Sequence, residues 1–207
     1  MREFLNNTLS RKINFFIAIL MILFSLVVIS AVYIDTKNYD IQKKRYGIAI
    51  AENIFESNMN FEKTSLLQTL VAVKNNTEYL KAFKNGDRQK LLGVTEKFFK
   101  ELKTKHNITH FYFITPDKKC FLRVHKPQEY GDTIERVTLA KAVETKAEFV
   151  SLEMGRNFFS LRAVTPIFYD GKLLGYMELG REIDHFFGLF KKLSGFDISL
   201  LLDNKYV

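Results

Sequence analysis

The chain has 207 residues, of which 47% are hydrophobic and 26% charged, and its formal net charge is +8 at pH 7. Basic residues occur all along the chain among glutamates and aspartates, and no nucleic-acid-binding motif accompanies them, so we expect no nucleic-acid partner. The single cysteine, Cys120, excludes an internal disulfide and any cysteine-based metal site.

The segment from Ile13 to Ile34 contains 22 residues and no charged side chain. A helix of that length is about 33 Å long, enough to cross a hydrocarbon core of roughly 30 Å. We therefore predict an N-terminal tail at 1–12 and a transmembrane helix at 13–34. The alternatives are a buried core helix and a cleaved signal peptide, whose apolar region would be about 7 to 15 residues long. Basic residues lie on both sides, so their count leaves the orientation open.

A long amphipathic helix follows the apolar segment. Apolar residues recur at spacings of three, four and seven from Ile41 to Val73, with no proline between them. We predict a stalk helix at 35–76, whose apolar stripe from Ile41 to Met59 can pair two chains into a homodimer. The alternative is that the stripe covers the sheet of its own domain, which we favour for the distal half, Leu66 to Val73.

Two shorter helices are predicted next. Asn75 to Thr77 interrupts the long helix, and a short helix follows from Glu78 to Lys84. Asp87 is a good N-cap for another helix, which ends near Lys105.

The hydrophobic period then changes to two, which indicates strands. Thr109 to Thr115 and Cys120 to His125 are predicted to form a hairpin. Gly131-Asp132 is predicted to open a helix, with Asp132 as its cap and Glu135 completing a capping box. The apolar face of that helix would be formed by Ile134, Val137, Ala140 and Val143.

Three further strands are predicted, turned at Gly155-Arg156 and at Asp170-Gly171. The predicted segments are strands Phe149 to Met154, Asn157 to Tyr169 and Lys172 to Arg181, helix Glu182 to Leu193, and a strand from Phe196 to Leu202. This order predicts an α+β fold, in which a five-stranded antiparallel sheet has its helices segregated to one side.

Charged residues in two otherwise apolar strands mark a candidate binding site. Alternation places Phe121, Arg123 and His125 on one face of the second strand, and Leu122 and Val124 on the other. A charged residue in such a strand lies at an exposed edge, is paired internally, or faces a ligand cavity.

Arg162 repeats this situation on the fourth strand. Two arginines can hold a small carboxylate bidentately in a closed pocket. The alternative is internal pairing of Arg123 or Arg162 with Glu153 or Glu178. The candidate ligand-binding residues are Arg123, His125, Tyr130, Arg162, Tyr176 and Glu178.

The sequence offers little support for catalysis. His106 and His110 are four residues apart, but a helix end and a strand start separate them, so we expect no metal site. No serine-centred elbow, phosphate-binding glycine loop or calcium loop is present. We expect neither a cofactor nor enzyme activity.

Several of these segments together resemble the Cache-type extracytoplasmic sensor domains, in particular the double Cache sensors of bacterial chemoreceptors (methyl-accepting chemotaxis proteins) and sensor histidine kinases. The segments that carry the resemblance are Phe121 to Asp132 (FLRVHKPQEYGD), Glu153, Leu161-Arg162, Thr165 to Ile167, and Gly175 to Gly180 (GYMELG).

The resemblance implies a cytoplasmic tail at 1–12, an inner-membrane anchor, and a periplasmic PAS-like sensor module at 77–193. Residues 194–207 would then begin a second, truncated module, so the chain would be a receptor cut before its signalling domain. Family members bind small metabolites such as carboxylates or amino acids, and Arg123, His125, Tyr130 and Arg162 are the residues carried over. The aromatic-rich Arg-x-Trp-Tyr run of amino-acid-binding relatives is absent here.

Two other functions remain as alternatives. One is a membrane-tethered structural or assembly protein of pilin-like plan, but pilins have a glutamate near the start of their apolar helix and Arg11 to Phe15 contains no acid. The other is an anchored hydrolase, for which the sequence shows no nucleophile and base.

Overall fold

A computed structural model of the chain describes residues 2–154 and 159–199. It divides into two compact units, Met1–Asn53 and Ile54–Val207. The helices are α1 (Arg2–Val73), α2 (Thr77–Lys84), α3 (Arg88–His106), α4 (Val137–Thr145) and α5 (Asp184–Ser194), and the strands are β1 (His110–Ile114), β2 (Cys120–Arg123), β3 (Phe149–Met154), β4 (Phe159–Tyr169) and β5 (Lys172–Glu182).

In the first unit, the large apolar side chains between Ile13 and Ile34 are exposed. Among the described residues, α1 is the one helix long and apolar enough to cross a membrane. An exposed apolar surface of this extent favours a lipid or protein partner.

In the second unit, the five strands form one antiparallel sheet in the order β2-β1-β5-β4-β3. Asp170 and Gly171 join β4 to β5 with φ angles of 49° and 74°. Positive φ at both turn residues is typical of a tight hairpin, so the predicted Asp-Gly turn is confirmed. The predicted turn at Gly155-Arg156 lies outside the described residues.

Alternation along the central strands sends buried apolar side chains to both faces of the sheet. Phe111 and Phe113 of β1 join the core cluster that also contains residues of α1, α2, α3 and α5. Tyr112 and Ile114 join a second cluster that contains Leu139 of α4. The expectation that all helices lie on one side is therefore wrong, because α4 covers the opposite face.

The distal part of α1 packs in its own unit. Leu66 and Leu70 are fully buried and Met59 nearly so, all in the larger core cluster. Phe55 contacts the ring of Phe186 edge-on, with 5.2 Å between the centroids. The interpretation that the distal stripe covers the domain's own sheet is confirmed.

The predicted cap of α3 is present, and α2 has a side-chain cap as well. Asn76 accepts hydrogen bonds from the backbone N–H groups of Glu78 and Tyr79, and Asp87 accepts one from Lys90. These side chains satisfy donors that have no partner within their helices.

The predicted start of α4 is wrong. The helix begins at Val137, which is 65% exposed, and its buried residues are Thr138, Leu139 and Ala142. Asp132 does not cap it, because its carboxylate pairs with Arg123. The backbone N–H of Thr138 instead donates to the Glu153 side chain of β3. A carboxylate distant in sequence therefore accepts the hydrogen bond that an N-cap side chain would accept.

The alternation along β2 is also interrupted. The β1–β2 register shifts between Phe113 and Ile114, as in a β-bulge. Phe121 consequently packs on the Phe83 ring, with 4.9 Å between centroids, on the face of the larger core cluster. The prediction that it shares a face with Arg123 is therefore wrong. Of the predicted strand from Phe196 to Leu202, residues 196–199 have no strand structure, and the rest lies outside the described residues.

Candidate functional site

A cavity of about 610 Å³ opens on the face of the sheet that α4 covers. Its size lies within the usual range for a small-molecule site, roughly 300 to 1,000 Å³. Its lining is strongly charged. The basic side chains are Arg123, Lys126, Arg136 and Arg162, the acidic ones Glu129, Asp132, Glu135 and Glu182, and the two imidazoles belong to His110 and His125.

Arg123 forms hydrogen bonds with the loop that follows β2. Its Nη1 donates to the Glu129 carbonyl at 2.7 Å and to Asp132 Oδ1 at 2.8 Å, and its Nη2 donates to Asp132 Oδ2 at 2.6 Å. The hydrogen-bonded Asp132 carboxylate raises the pKa of the Arg123 guanidinium above its ordinary value. Arg123 therefore forms a bidentate ion pair that shapes one wall of the cavity.

Arg136 and Arg162 converge on one carboxylate, that of Glu178 on β5. Arg162 Nη1 lies 2.7 Å from Glu178 Oε1, and Arg136 Nη1 donates to the same oxygen. Burial alone would lower the pKa of Arg136, but the Glu178 carboxylate and the Tyr112 hydroxyl leave that pKa raised. Two guanidinium groups and one carboxylate give this cluster a net charge of +1.

The cluster is incompletely hydrogen bonded. Glu178 is fully buried and Arg162 is 3% exposed. Among the described residues, Glu178 Oε2 and Arg162 Nε have no hydrogen-bond partner. Buried polar atoms normally have partners, so an unpaired acceptor and an unpaired donor in one cluster require an explanation.

The two histidines are neutral at physiological pH. Burial lowers the pKa of His110 to about 3, with a further contribution from the Arg162 charge. Burial also lowers the pKa of His125 to about 4, helped by Arg123 and opposed by a hydrogen bond to the backbone of Phe111. His125 Nδ1 lies 3.2 Å from the backbone nitrogen of Phe111 and 3.4 Å from its carbonyl oxygen, so the backbone of β1 holds the ring at this atom. The imidazole rings meet edge-on with 4.8 Å between centroids.

Gly180 on β5 leaves space for the side chains on either side of it. A Cβ atom at this position would lie 3.0 Å from His110 Cβ and 3.3 Å from Arg162 Nη1. Both separations are tighter than nine in ten real Cβ contacts. The glycine thus allows the guanidinium and the imidazole to lie side by side at the cavity.

The structure brings together some of the candidate residues from the sequence but not all of them. Arg123, His125 and Arg162 line the cavity. Tyr130 is 55% exposed, and the Arg88 guanidinium lies 3.5 Å from its ring centroid. The remaining two candidates, Tyr176 and Glu178, are buried in the sheet and are not among the described lining residues.

The sequence left open that Arg123 or Arg162 forms an ion pair within the domain, and the structure shows an ion pair for each of them. Arg162 pairs with Glu178 as one alternative anticipated. Arg123 pairs with Asp132 rather than with Glu153 or Glu178. These partners limit how much of each guanidinium is available to a ligand.

Sequence reasoning missed Arg136 and the cavity position of His110. Arg136 was placed inside a helix, whereas it lies before α4 in extended conformation with no side-chain cap hydrogen bond. His110 was considered only as a metal ligand. Among the described residues, no group of three or more His, Cys, Asp or Glu side chains is arranged to hold a metal ion.

Comparison with known proteins gives a family match. The family model described as the double sensory domain of two-component sensor kinase matches residues 47–207. No curated protein matches the sequence.

Among solved structures, the sensor domain of the Vibrio cholerae histidine kinase DctB is similar with a TM-score of 0.59 at 9% identity, which shows a shared fold. The match covers 69% of this chain but only 57% of the DctB chain. The E. coli DcuS sensor domain has a TM-score of 0.48 at 16% identity, covering 60% of this chain and 94% of that one. A Campylobacter jejuni chemoreceptor sensory domain with isoleucine bound has a TM-score of 0.42 at 16% identity, covering 69% and 66%.

Proposed function

Because the chain belongs to the Cache-type family of double sensory domains of two-component sensor kinases, we propose that it is the ligand-sensing part of a membrane-anchored bacterial receptor. Its output would be chemotaxis or two-component signalling. The proposed ligand is a small metabolite with a carboxylate group, bound in the cavity over the sheet. The observation that carries this proposal is the convergence of Arg136 and Arg162 at a cavity of about 610 Å³.

The arginine cluster, rather than the lining as a whole, favours a carboxylate, because the four basic and four acidic side chains of the lining balance each other. Arg123 and Asp132 neutralise each other. The cluster of Arg136, Arg162 and Glu178 has an excess of one positive charge, which a carboxylate would balance. The neutral imidazoles add hydrogen-bonding groups without adding charge.

The candidate residues take different roles in this proposal. Arg162 and the His125 imidazole contact the ligand, while Arg123 positions the loop that bounds the cavity. Tyr130 lies on that loop and holds it against Arg88. Tyr176 and Glu178 support the cavity from within the sheet. No catalytic step is proposed, because the family is one of sensory domains.

The proposed location is the cell membrane, with the sensor unit on the periplasmic side. The apolar helix segment at 13–34 supports an anchor. A membrane-impermeant thiol reagent applied to intact cells should label a Lys172→Cys variant but not a Ser10→Cys variant. The native Cys120 is 1% exposed and gives little background. Labelling of the Ser10 variant alone would reverse the proposed orientation.

We also propose a homodimer through the exposed part of the α1 stripe. Met59 is buried in its own unit, so the surface for pairing is confined to residues such as Ile41 and Ile48, which are 42% and 56% exposed. Oxidation of an Ile48→Cys variant in membranes should give cross-linked dimers. A Tyr46→Cys variant, about 200° away around the helix, should give fewer. Equal cross-linking of both would contradict this interface.

The ligand proposal is tested by thermal unfolding of the full chain in lipid nanodiscs with small carboxylates, amines and amino acids. A carboxylate at 100 times its Kd should stabilise the folded state by about 2.7 kcal/mol. For a unit of this size the midpoint then rises by roughly 5 to 11 °C. Arg162→Gln should abolish the shift, and Arg45→Gln, the same change at an exposed site, should keep it. Stabilisation by amines alone, or an unchanged shift in the Arg162 variant, would refute the proposal.

A further inference from the structure

We propose that Glu178 is a built-in competitor of the ligand, because its carboxylate occupies the two arginines that a ligand carboxylate would use. A ligand would bind by displacing Glu178 from Arg162, Arg136 or both. This inference rests on the proposed carboxylate function of the same cavity and adds a regulatory element to it.

The first support is the geometry of the pairing. Both guanidinium groups donate to Glu178 Oε1, while Oε2 has no partner among the described residues. Arg162 Nε is also unpaired there. The neighbouring pair of Arg123 and Asp132 shows what a complete pairing looks like, with two parallel hydrogen bonds of 2.8 and 2.6 Å. The Glu178 pairing is therefore one-sided, and part of the arginine hydrogen-bonding capacity remains unused.

The second support is the placement of the three groups. Arg136 and Arg162 line the cavity, whereas Glu178 is fully buried and is not among the described lining residues. The arginines thus have the cavity on one side and Glu178 on the other. A ligand carboxylate would approach the same guanidinium groups from the cavity side. It would also neutralise the net charge of +1 that Glu178 leaves.

Glu178 lies on β5, the strand that contacts α1 through Arg181. Three residues further along this strand, Arg181 donates to Glu62 of α1 within the same compact unit. A change in the Glu178 pairing would act on the strand that holds this contact.

The test is carboxylate binding by Glu178→Gln in the full chain in nanodiscs. The probes are acetate, pyruvate and succinate, each compared with sodium chloride at equal ionic strength. Apparent Kd values come from the shift of the thermal midpoint with concentration, measured from each variant's own ligand-free midpoint. Glu178→Gln should bind the preferred probe at least tenfold more tightly than the wild type.

Two further variants separate competition from other effects. Glu182→Gln changes the charge equally on the same strand and lines the same cavity, but lies outside the arginine cluster. Its Kd should stay within threefold of the wild type. Glu178→Asp keeps the charge but shortens the side chain, so it should also bind more tightly. It serves as the test if the Gln variant does not fold.

The outcomes are distinct. Unchanged or weaker binding by the Glu178 variants, with binding by the wild type, would overturn the inference and show that Glu178 orients the arginines. An equal gain in Glu182→Gln would also overturn it, because a general charge effect would then explain the result. If no probe stabilises any variant, the proposed carboxylate site itself fails, and the inference fails with it.

Discussion

The contact between Glu62 of α1 and Arg181 of β5 is expected to contribute strongly to the stability of the second unit. Arg181 Nη1 donates to Glu62 Oε2, and His185 Nε2 lies 3.2 Å from the other carboxylate oxygen. The side chains of Glu62 and Arg181 are only 13% and 7% exposed. Removing one partner of a buried ion pair costs about 3 to 5 kcal/mol, whereas an exposed pair contributes about 1 kcal/mol or less.

We therefore predict that Glu62→Gln and Arg181→Gln each destabilise the unit by about 3 kcal/mol. The thermal midpoint, followed by far-UV circular dichroism of the full chain in nanodiscs, should fall by roughly 6 to 12 °C in each single variant. The double variant should be less destabilised than the sum of the two, because each single variant leaves an unpaired buried group.

The matched control is the pair of Glu96 and Lys100 on α3. Their atoms are 3.0 Å apart, but the side chains are more than half exposed. Substitution of either residue by glutamine should change the midpoint by about 2 °C or less. Additive effects in the Glu62–Arg181 cycle, or single-variant losses as small as those of the control, would refute the reasoning.

Three further predictions use the same unfolding assay. Leu66→Ala should lower the free energy of unfolding by about 2 to 5 kcal/mol, because Leu66 is fully buried. Phe61→Ala, at a 70% exposed position of α1, should lower it by less than about 0.5 kcal/mol. Equal losses would contradict the packing of α1 against the sheet. Gly180→Ala should destabilise because its Cβ would crowd His110, whereas Gly188→Ala, with open space around it in α5, should stabilise by up to about 1 kcal/mol. The pKa of His110 is about 3 in the folded state, below the ordinary 6.5, so acidification below about pH 6.5 protonates the unfolded chain first and lowers the free energy of unfolding. The His110→Gln variant should therefore lose less stability than the wild type between pH 7 and 5. The same dependence of stability on pH in both proteins would contradict a buried neutral imidazole.

The elements with local signals were predictable from the sequence. The Asp87 cap of α3 and the Asp170-Gly171 turn depend on residues close in sequence, and the structure confirms both. The start of α4 was wrong because Asp132 has a stronger partner in Arg123, nine residues earlier. No local pattern reveals that competition.

The site was only partly predictable, because several of its contacts join residues that are distant in sequence. Arg123 and Arg162 stood out because charges are rare in apolar strands, and both line the cavity. Arg136 was missed because it belongs to an irregular segment whose course depends on tertiary packing. The change of face at Phe121 was missed because a β-bulge shifts the alternation without a mark in the sequence.

A crystal structure of the chain with its stabilising carboxylate bound would test the central claim most directly. We expect the carboxylate oxygens of the ligand within about 3.2 Å of guanidinium nitrogens of Arg162 or Arg136. The Glu178 carboxylate should have moved away from the arginine that the ligand contacts. A ligand bound without contact to either arginine would show that these arginines are not the carboxylate site.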